Sequence, residues 1–140
     1  MTQTVGDLMT VNPVRASAAA PLIEVARTMR DEMIGDVLVT DNGQVSGVVT
    51  DRDITIRAVA EGLDPYSTPV GQVASSGMIN ISMDAPLSQA VQLMRQEAVR
   101  RLLVTDEFGT ACGVISLGDL AAELDPNSAL GTISGAPPND

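Results

Sequence analysis

Apolar residues at helical spacing mark two segments of the chain. In residues 21–33 and again in 86–98, hydrophobic side chains recur three or four positions apart, the stripe of a helix packed on a core. The first stripe consists of Leu22, Val25, Ala26, Met29 and Met33, and the second of Leu87, Ala90, Val91, Met94 and Ala98. Pro21 and Pro86 precede the stripes and suit the first turn of a helix.

Short apolar runs around the two helices are typical of strands. They cover residues 14–16, 37–40, 79–82 and 102–105. After the second run the sequence Asp-Asn-Gly at 41–43 predicts a tight hairpin, because Asn and Gly tolerate positive φ. The equivalent turn after the fourth run is Asp-Glu-Phe-Gly at 106–109. Each half of the chain thus reads β-α-β-β-α.

The two halves are an internal repeat. A shift of 65 residues aligns Leu-Val-Thr-Asp at 38–41 with the same four residues at 103–106, and one more residue in the second turn makes the shift 66 afterwards. A repeat of roughly 60 residues buries too little surface to be stable alone, so the two should pack on each other about a pseudo-two-fold axis. We therefore predict an α/β (α+β) fold of two β-α-β-β-α repeats.

Composition sets the domain limits and excludes several functions. The first repeat is predicted at 1–62, a linker at 63–69, the second repeat at 70–124 and a disordered tail at 125–140. The net charge of −10 argues against nucleic-acid binding. All the cations are Arg, and His and Lys are absent, which excludes the common catalytic triads, Schiff-base chemistry and His-ligated metals. Cys112 lies in an apolar run and is interpreted as a small buried hydrophobe.

The expected protein is therefore not an enzyme and needs no metal or cofactor. No apolar run approaches the roughly 20 residues that cross a bilayer, and the N-terminus lacks a signal-peptide pattern. We expect a cytoplasmic protein that does not bind membranes.

One motif occurs at equivalent places in both repeats. Gly-Val-Val-Thr at 47–50 is followed by Asp53, and Gly-Val-Ile-Ser at 113–116 is followed by Asp119. Thr50 and Ser116 with these acids form a capping-box pattern, which by itself explains the residues structurally. The same hydroxyl can also meet a phosphate, and the carboxylate a ribose diol. In that case adenine would lie against aliphatic side chains and strand backbone near Val14, Ile34, Ile79 or Ile81.

The duplicated order of helix, strand, turn, strand and Gly-hydrophobic-hydrophobic-Thr/Ser-x-x-Asp resembles a tandem pair of cystathionine-β-synthase-type (CBS) domains, a Bateman module. Residues 49–54 and 61–65 are also similar to the small actinobacterial stand-alone CBS pairs of the hypoxic-response type. The resemblance covers residues 5–124. It implies AMP, ADP, ATP or a related adenosyl ligand in clefts between the repeats, contacted by Thr50, Asp53, Ser116 and Asp119, and it implies homodimerisation through helical faces.

The arginines differ between the halves. Arg100 and Arg101 precede the second central strand and suit phosphate oxygens, as does Arg52 in the first motif; solvated surface charge is the other interpretation. The first repeat has Ile-Gly-Asp at the positions of 99–101, and Gly118 stands at the place of Arg52. We predict a nucleotide-binding regulatory module with unequal sites. The alternative is a ligand-free dimerisation or interaction module, with an unidentified protein partner, whose motifs serve only as helix caps.

Overall fold

A computed structural model describes residues 3–124, which form two compact units. Residues 14–78 make the first-repeat unit, and residues 79–124 together with 3–13 make the second-repeat unit. The predicted disordered tail at 125–140 lies outside the described residues. Within 3–124, no helix has the length and apolar character needed to cross a bilayer.

The elements follow the predicted order in both repeats. In chain order they are α1 (Val5–Leu8), β1 (Thr10–Val11), β2 (Arg15–Ser17), α2 (Leu22–Glu32), β3 (Asp36–Asp41), β4 (Gln44–Thr50), α3 (Asp51–Asp53), a π-helix (Ile54–Val59), a 3₁₀ turn (Val70–Gln72), β5 (Ser75–Ser76), β6 (Asn80–Ser82), α4 (Leu87–Glu97), β7 (Arg101–Thr105), β8 (Ala111–Ser116) and α5 (Leu117–Leu124). The first-repeat unit has the sheet order β2-β3-β4-β5, and the second-repeat unit has β1-β8-β7-β6. The predicted mixed α/β class is confirmed.

Each unit combines one parallel and two antiparallel strand pairs. Strands β2 and β3 are parallel and connected by α2, while β3 and β4 form an antiparallel hairpin. Asn42 and Gly43 turn this hairpin with φ of 52° and 78°, as the Asn-Gly signal predicts. Strands β6, β7 and β8 repeat the arrangement, including a register shift at the equivalent position, between Val104 and Thr105.

The helices α2 and α4 bury the predicted apolar stripes. Leu22, Val25 and Met29 are buried on α2, and the equivalent positions of α4 are also buried. The predictions for Met33 and Ala98 are wrong, since Met33 is 78% exposed and Ala98, the left-handed residue that follows α4, is also exposed. The helix ends at Glu32, and Met33 takes the left-handed conformation with φ of 56°, which turns its side chain off the stripe.

A short segment before each repeat packs on the other repeat. The N–H of Val5 donates to the carbonyl of Ala85 at 2.9 Å, and the N–H of Val70 donates to the carbonyl of Ala20 at 2.8 Å. Val5 and Val70 are equivalent under the 65-residue shift, and both side chains are 0% exposed. The compact units therefore do not coincide with the two sequence repeats. The segment that precedes the first repeat completes the second-repeat unit, and the segment that precedes the second repeat completes the first-repeat unit.

The glycine of each repeated motif lies where one of these segments pairs with the motif strand, and the close approach of the segment explains why the residue is glycine. Gly47 pairs with Ser76 of β5, and a Cβ there would collide with the carbonyl oxygen of Ser75. Gly113 pairs with Val11 of β1, and a Cβ there would lie 2.7 Å from the carbonyl oxygen of Thr10. Only glycine admits the exchanged strand so closely.

Candidate functional site

In the first-repeat unit the predicted site residues lie where β4 passes into α3. Thr50 is the last residue of β4 and is paired with Asp36, the first residue of β3. Its Oγ1 accepts a hydrogen bond from the N–H of Asp53 at 3.0 Å, and a carboxylate oxygen of Asp53 accepts one from the N–H of Thr50 at 3.0 Å. The pair therefore forms a complete capping box.

The second-repeat unit has the same junction between β8 and α5. Ser116 is paired with Arg101, the first residue of β7. The Oγ of Ser116 accepts from the N–H of Asp119 at 3.1 Å, and the Asp119 carboxylate accepts from the N–H of Ser116 at 2.9 Å. The structure thus brings Thr50 to Asp53 and Ser116 to Asp119 in two equivalent, partly buried junctions. The structural interpretation of the motif, capping, is fully realised in both.

Each capping box uses one carboxylate oxygen and leaves the other oriented elsewhere. The second oxygen of Asp53 lies 3.8 Å from Nε of Arg57, one helical turn later. Asp119 has Glu123 at that spacing. Within residues 3–124, the remaining oxygen of Asp119 makes no hydrogen bond or ion pair. A carboxylate can therefore cap its helix and still accept a hydrogen bond from a ligand hydroxyl.

Three of the four aliphatic candidates keep part of their surface exposed. Val14 and Ile34 pack partly buried against the core of the first-repeat unit, and Ile79 does the same in the second-repeat unit. The side chain of Ile81 is only 3% exposed and lies inside the core, so near this residue only the strand backbone could offer adenine a contact. Side chains alternate along β6, so Ile81 points inward while Asn80 is exposed.

The candidate arginines hold different positions. Arg52 and Arg100 are exposed, and Arg101 is partly buried at the start of β7. The carbonyl of Arg100 accepts a hydrogen bond from the N–H of Leu117 at 2.8 Å, which ties the arginine pair to the first turn of α5. In the first-repeat unit the same bond joins the N–H of Asp51 to the carbonyl of Gly35 at 3.0 Å.

Sequence reasoning did not assign a role to Asp36 and Asp51. Asp36 is the register partner of Thr50, and the Asp51 carboxylate lies beside Gly35, with an oxygen 3.4 Å from where a Cβ on that glycine would be. The signal was available, because the repeat alignment puts Asp36 opposite Arg101 and Asp51 opposite Leu117. The first-repeat junction is therefore richer in carboxylates than its counterpart.

The sequence also does not indicate a cavity of about 490 Å³ in the first-repeat unit. Side chains of β2 and α2 line it, among them Arg15, Ser17, Glu24 and Thr28. Among residues 3–124, none of the predicted site residues belongs to its lining.

Cys112 is half-buried on β8, as its apolar context suggests. Its Sγ lies 4.0 Å from Sδ of Met9, whose segment pairs with this strand. Burial, assisted by the negative charge of Asp106, raises the pKa of the Cys112 thiol above its ordinary value. The thiol is therefore held protonated at neutral pH.

Comparisons with family models and with known proteins all relate this chain to proteins with CBS domains. The model for the CBS domain matches twice, at residues 5–59 and 70–126. CBS domain-containing protein YhcV of Bacillus subtilis is 34% identical over 129 residues, which is 92% of this chain and 91% of that protein. Hypoxic response protein 1 of Mycobacterium tuberculosis is 29% identical over 122 residues, covering 86% of this chain and 85% of that protein.

Solved structures share the fold. The structure of Hypoxic Response Protein I with two coordinated zinc ions has a TM-score of 0.72 at 28% identity, over 85% of this chain and 97% of that one. The CBS domain pair of MJ0100, in complex with 5′-methylthioadenosine and S-adenosyl-L-methionine, has a TM-score of 0.77 at 18% identity. It covers 91% of this chain and 100% of that one, and it supports the fold alone.

The residues of this chain do not fit a zinc site. The sequence contains no His and one Cys. In the part of the chain that the structure describes, no three Cys, Asp or Glu side chains are grouped so that they could hold a metal ion. Structural and catalytic zinc sites rely on imidazole and thiolate ligands, which this chain cannot assemble.

Proposed function

Because the chain belongs to the family of CBS-domain proteins and contains a tandem pair of these domains, we propose that it is a regulatory module that binds AMP, ADP, ATP or a related adenosyl ligand. The observation that carries the proposal is the duplicated junction, in which a hydroxyl and a carboxylate are held at the same strand-to-helix transition in both units. The proposed ligand class includes the two adenosyl compounds bound by the CBS domain pair of MJ0100, a protein of the same fold.

The proposed roles follow from the chemistry of the side chains. Asp53 and Asp119 accept hydrogen bonds from ribose hydroxyls through the oxygen that the capping box leaves over. Thr50 and Ser116 donate their hydroxyl hydrogens to the ligand while each oxygen caps the helix.

The remaining candidates supply the other ends of the ligand. Val14, Ile34 and Ile79 offer aliphatic surface to adenine, and Arg52, Arg100 and Arg101 offer guanidiniums to phosphate. The ligand regulates only if it binds one conformational or association state more tightly than another.

The complete capping boxes favour a second function, a ligand-free interaction module in which these residues only stabilise helices. Binding and capping make different predictions for the same variants. A third capping box, formed by Thr4 and Asp7, supplies the control, because Thr4 N–H donates to the Asp7 carboxylate at 2.9 Å without any candidate residue nearby in sequence.

The test is thermal unfolding with and without millimolar AMP, ADP and ATP. A ligand at about 100 times its Kd adds about 2.7 kcal/mol to stability, or roughly 5–10 °C in Tm for a chain of this size. Asp53→Ala, Asp119→Ala and Asp7→Ala should each lower the ligand-free stability by about 1 kcal/mol. Only the first two should reduce the nucleotide shift.

The outcomes separate the two functions. A smaller shift in Asp53→Ala or Asp119→Ala, with the full shift in Asp7→Ala, supports nucleotide binding. No shift in the wild type with any of the three nucleotides refutes it and leaves the interaction module.

We also propose that the protein forms a homodimer. Large apolar side chains are exposed in the first-repeat unit, among them Ile56 at 46%, Val59 at 69% and Tyr66 at 66%. Exposed apolar surface of this kind commonly marks an interface, and two-fold pairing is the commonest closed assembly. Sedimentation equilibrium should give twice the chain mass of 14.5 kDa. A monomer at high micromolar concentration would refute the dimer.

A further inference from the structure

We propose that the cavity between β2 and α2 of the first-repeat unit binds a small neutral molecule, one with an apolar body that ends in a hydroxyl or amide group. The cavity has a volume of about 490 Å³. Ligand pockets commonly measure roughly 300–1,000 Å³, and an apolar cavity of about 150 Å³ is enough for benzene. Within residues 3–124, none of the residues proposed to bind the nucleotide lines this cavity, so the site is a separate one.

The inner wall of the cavity is apolar. Val25 of α2 and Val37 of β3 are buried there, and Ala16 and Ala20 are partly buried. All four residues belong to the core of the first-repeat unit or pack against it. None of them has a polar side-chain atom, so the apolar body of a ligand can leave water here without depriving a protein side chain of a hydrogen bond.

Two hydroxyl groups at the rim have complementary hydrogen-bonding capacity. Oγ of Ser17 accepts a hydrogen bond from the N–H of Ala19 at 3.2 Å, and within residues 3–124 no acceptor takes the hydroxyl hydrogen. Oγ1 of Thr28 donates to the carbonyl of Glu24 at 3.0 Å, and in the described part of the chain no donor reaches its lone pairs. Ser17 therefore offers a donor and Thr28 an acceptor. A hydroxyl or amide group on the ligand can use either one, because each of these groups both donates and accepts.

The charged residues at the rim favour a neutral ligand. Arg15 and Glu24 line the cavity, but Arg15 already has an interaction partner within the protein. Glu24 is exposed, so solvent and salt screen its charge. An ionic group would lose part of its hydration against the apolar wall, and neither rim charge is both unpaired and shielded from solvent. The net charge of −10 further disfavours an anion.

The second repeat has larger apolar side chains at two equivalent positions. Under the 65-residue shift Ala16 corresponds to Ile81, and Thr28 corresponds to Leu93. Ile81 lies in the core of the second-repeat unit, and Leu93 packs against that core. Val25 is the reverse case, since an alanine stands at its equivalent position, but the exchanges at positions 16 and 28 remove more side-chain atoms than Val25 adds. The small side chains at positions 16 and 28 therefore keep this space open.

Benzyl alcohol is the probe, and benzoate is the charged control of nearly the same size. An NMR titration that follows the backbone amide signals of the full chain measures both affinities. Benzyl alcohol should bind with a Kd on the order of 1 mM, as expected for a ligand of so few atoms. The signals that shift should include those of Ala16, Val25 and Val37. Benzoate should bind at least about tenfold more weakly, because its carboxylate loses hydration without a compensating partner.

Two residue exchanges fill the cavity. Ala16→Ile and Thr28→Leu each place the side chain of the second repeat in the first, and each should weaken benzyl alcohol binding at least about tenfold. Isoleucine suits a strand and leucine a helix, so both variants should fold, which far-UV circular dichroism checks. Ser17→Ala keeps the cavity and removes the donor, so it should weaken benzyl alcohol binding about fivefold.

Thr55→Leu is the matched control for Thr28→Leu. The Thr55 hydroxyl also donates to the carbonyl four residues earlier, at 3.0 Å, but Thr55 does not line the cavity. This variant should bind benzyl alcohol with the wild-type Kd. If Ala16→Ile or Thr28→Leu fails to fold, the other variant and Ser17→Ala still test the site.

Several results would overturn the inference. One is the absence of amide shifts with benzyl alcohol at about 20 times the expected Kd. Others are shifts confined to amides away from the cavity, an unchanged Kd in the folded cavity-filling variants, and benzoate binding as tightly as benzyl alcohol. None of these results bears on the proposed nucleotide sites, which consist of other residues.

Discussion

The side chain of Val5 should contribute more stability than any other residue of the N-terminal segment. It is 0% exposed and belongs to the core of the second-repeat unit, although it precedes the first repeat in sequence. Val5→Ala removes two buried carbon groups, which cost about 0.8 kcal/mol each in transfer free energy. The cavity left behind raises the expected loss to about 2–3 kcal/mol. For a chain of this size that corresponds to a fall in Tm of roughly 5–10 °C.

Urea unfolding followed by far-UV circular dichroism measures the loss as a lower midpoint at unchanged slope. Val11→Ala is the control for the same chemical change in the same segment, and since Val11 is 61% exposed it should cost under about 0.5 kcal/mol. Val70→Ala makes the equivalent change in the first-repeat unit and should match Val5→Ala. A loss below about 0.5 kcal/mol in Val5→Ala would refute the packing of this segment.

Three further outcomes are expected. Gly113→Ala should destabilise the protein by more than about 1 kcal/mol in urea unfolding, because its Cβ would displace Thr10 of β1; a neutral variant would contradict that strand pairing. Ala98→Gly should raise Tm by a few degrees, since Ala98 has a φ of 55° that costs about 1 kcal/mol for a residue with a Cβ, and a lower Tm would argue against this helix end. Cys112 should react with a thiol reagent more slowly than free cysteine at pH 8 and accelerate as pH rises, because burial and Asp106 raise its pKa. A stopped-flow rate equal to that of free cysteine would contradict this.

The Cys112 thiol also has a defined effect on stability. Its folded-state pKa lies above the ordinary value of 9.0, so the folded state favours the protonated thiol. The stability that this preference contributes is fully present below the ordinary thiol pKa and is lost as pH rises through the raised folded-state pKa.

Much of the fold could be predicted because the signals are local. The α2 stripe, the Asn-Gly turn at 42–43 and the Thr50 capping box each depend on residues within a few positions of one another. Such signals can be recognised without knowledge of distant contacts, and the repeat doubled each of them. The candidate junctions were found for the same reason, since Thr50 and Asp53 lie only three residues apart.

Other features depend on contacts between residues far apart in sequence. The inward orientation of Ile81 follows from the face of β6 that the core covers, and its apolar run does not reveal that face. Likewise, Asp36 reaches Thr50 through the register of the hairpin, which includes a shift between Val39 and Thr40. The sequence indicated that these residues belong to strands, while the sheet determined which neighbours they have.

The segments that carry Val5 and Val70 show most plainly which features the sequence alone does not determine. The sequence by itself determined that the two segments are equivalent, that each brings a valine, and that a motif glycine follows in each repeat. Because the repeats carry the same local pattern, either segment fits either repeat by pattern alone. Only the tertiary structure decided that each completes the unit of the other repeat, since that choice depends on which sheet edge each segment can reach when the whole chain is folded.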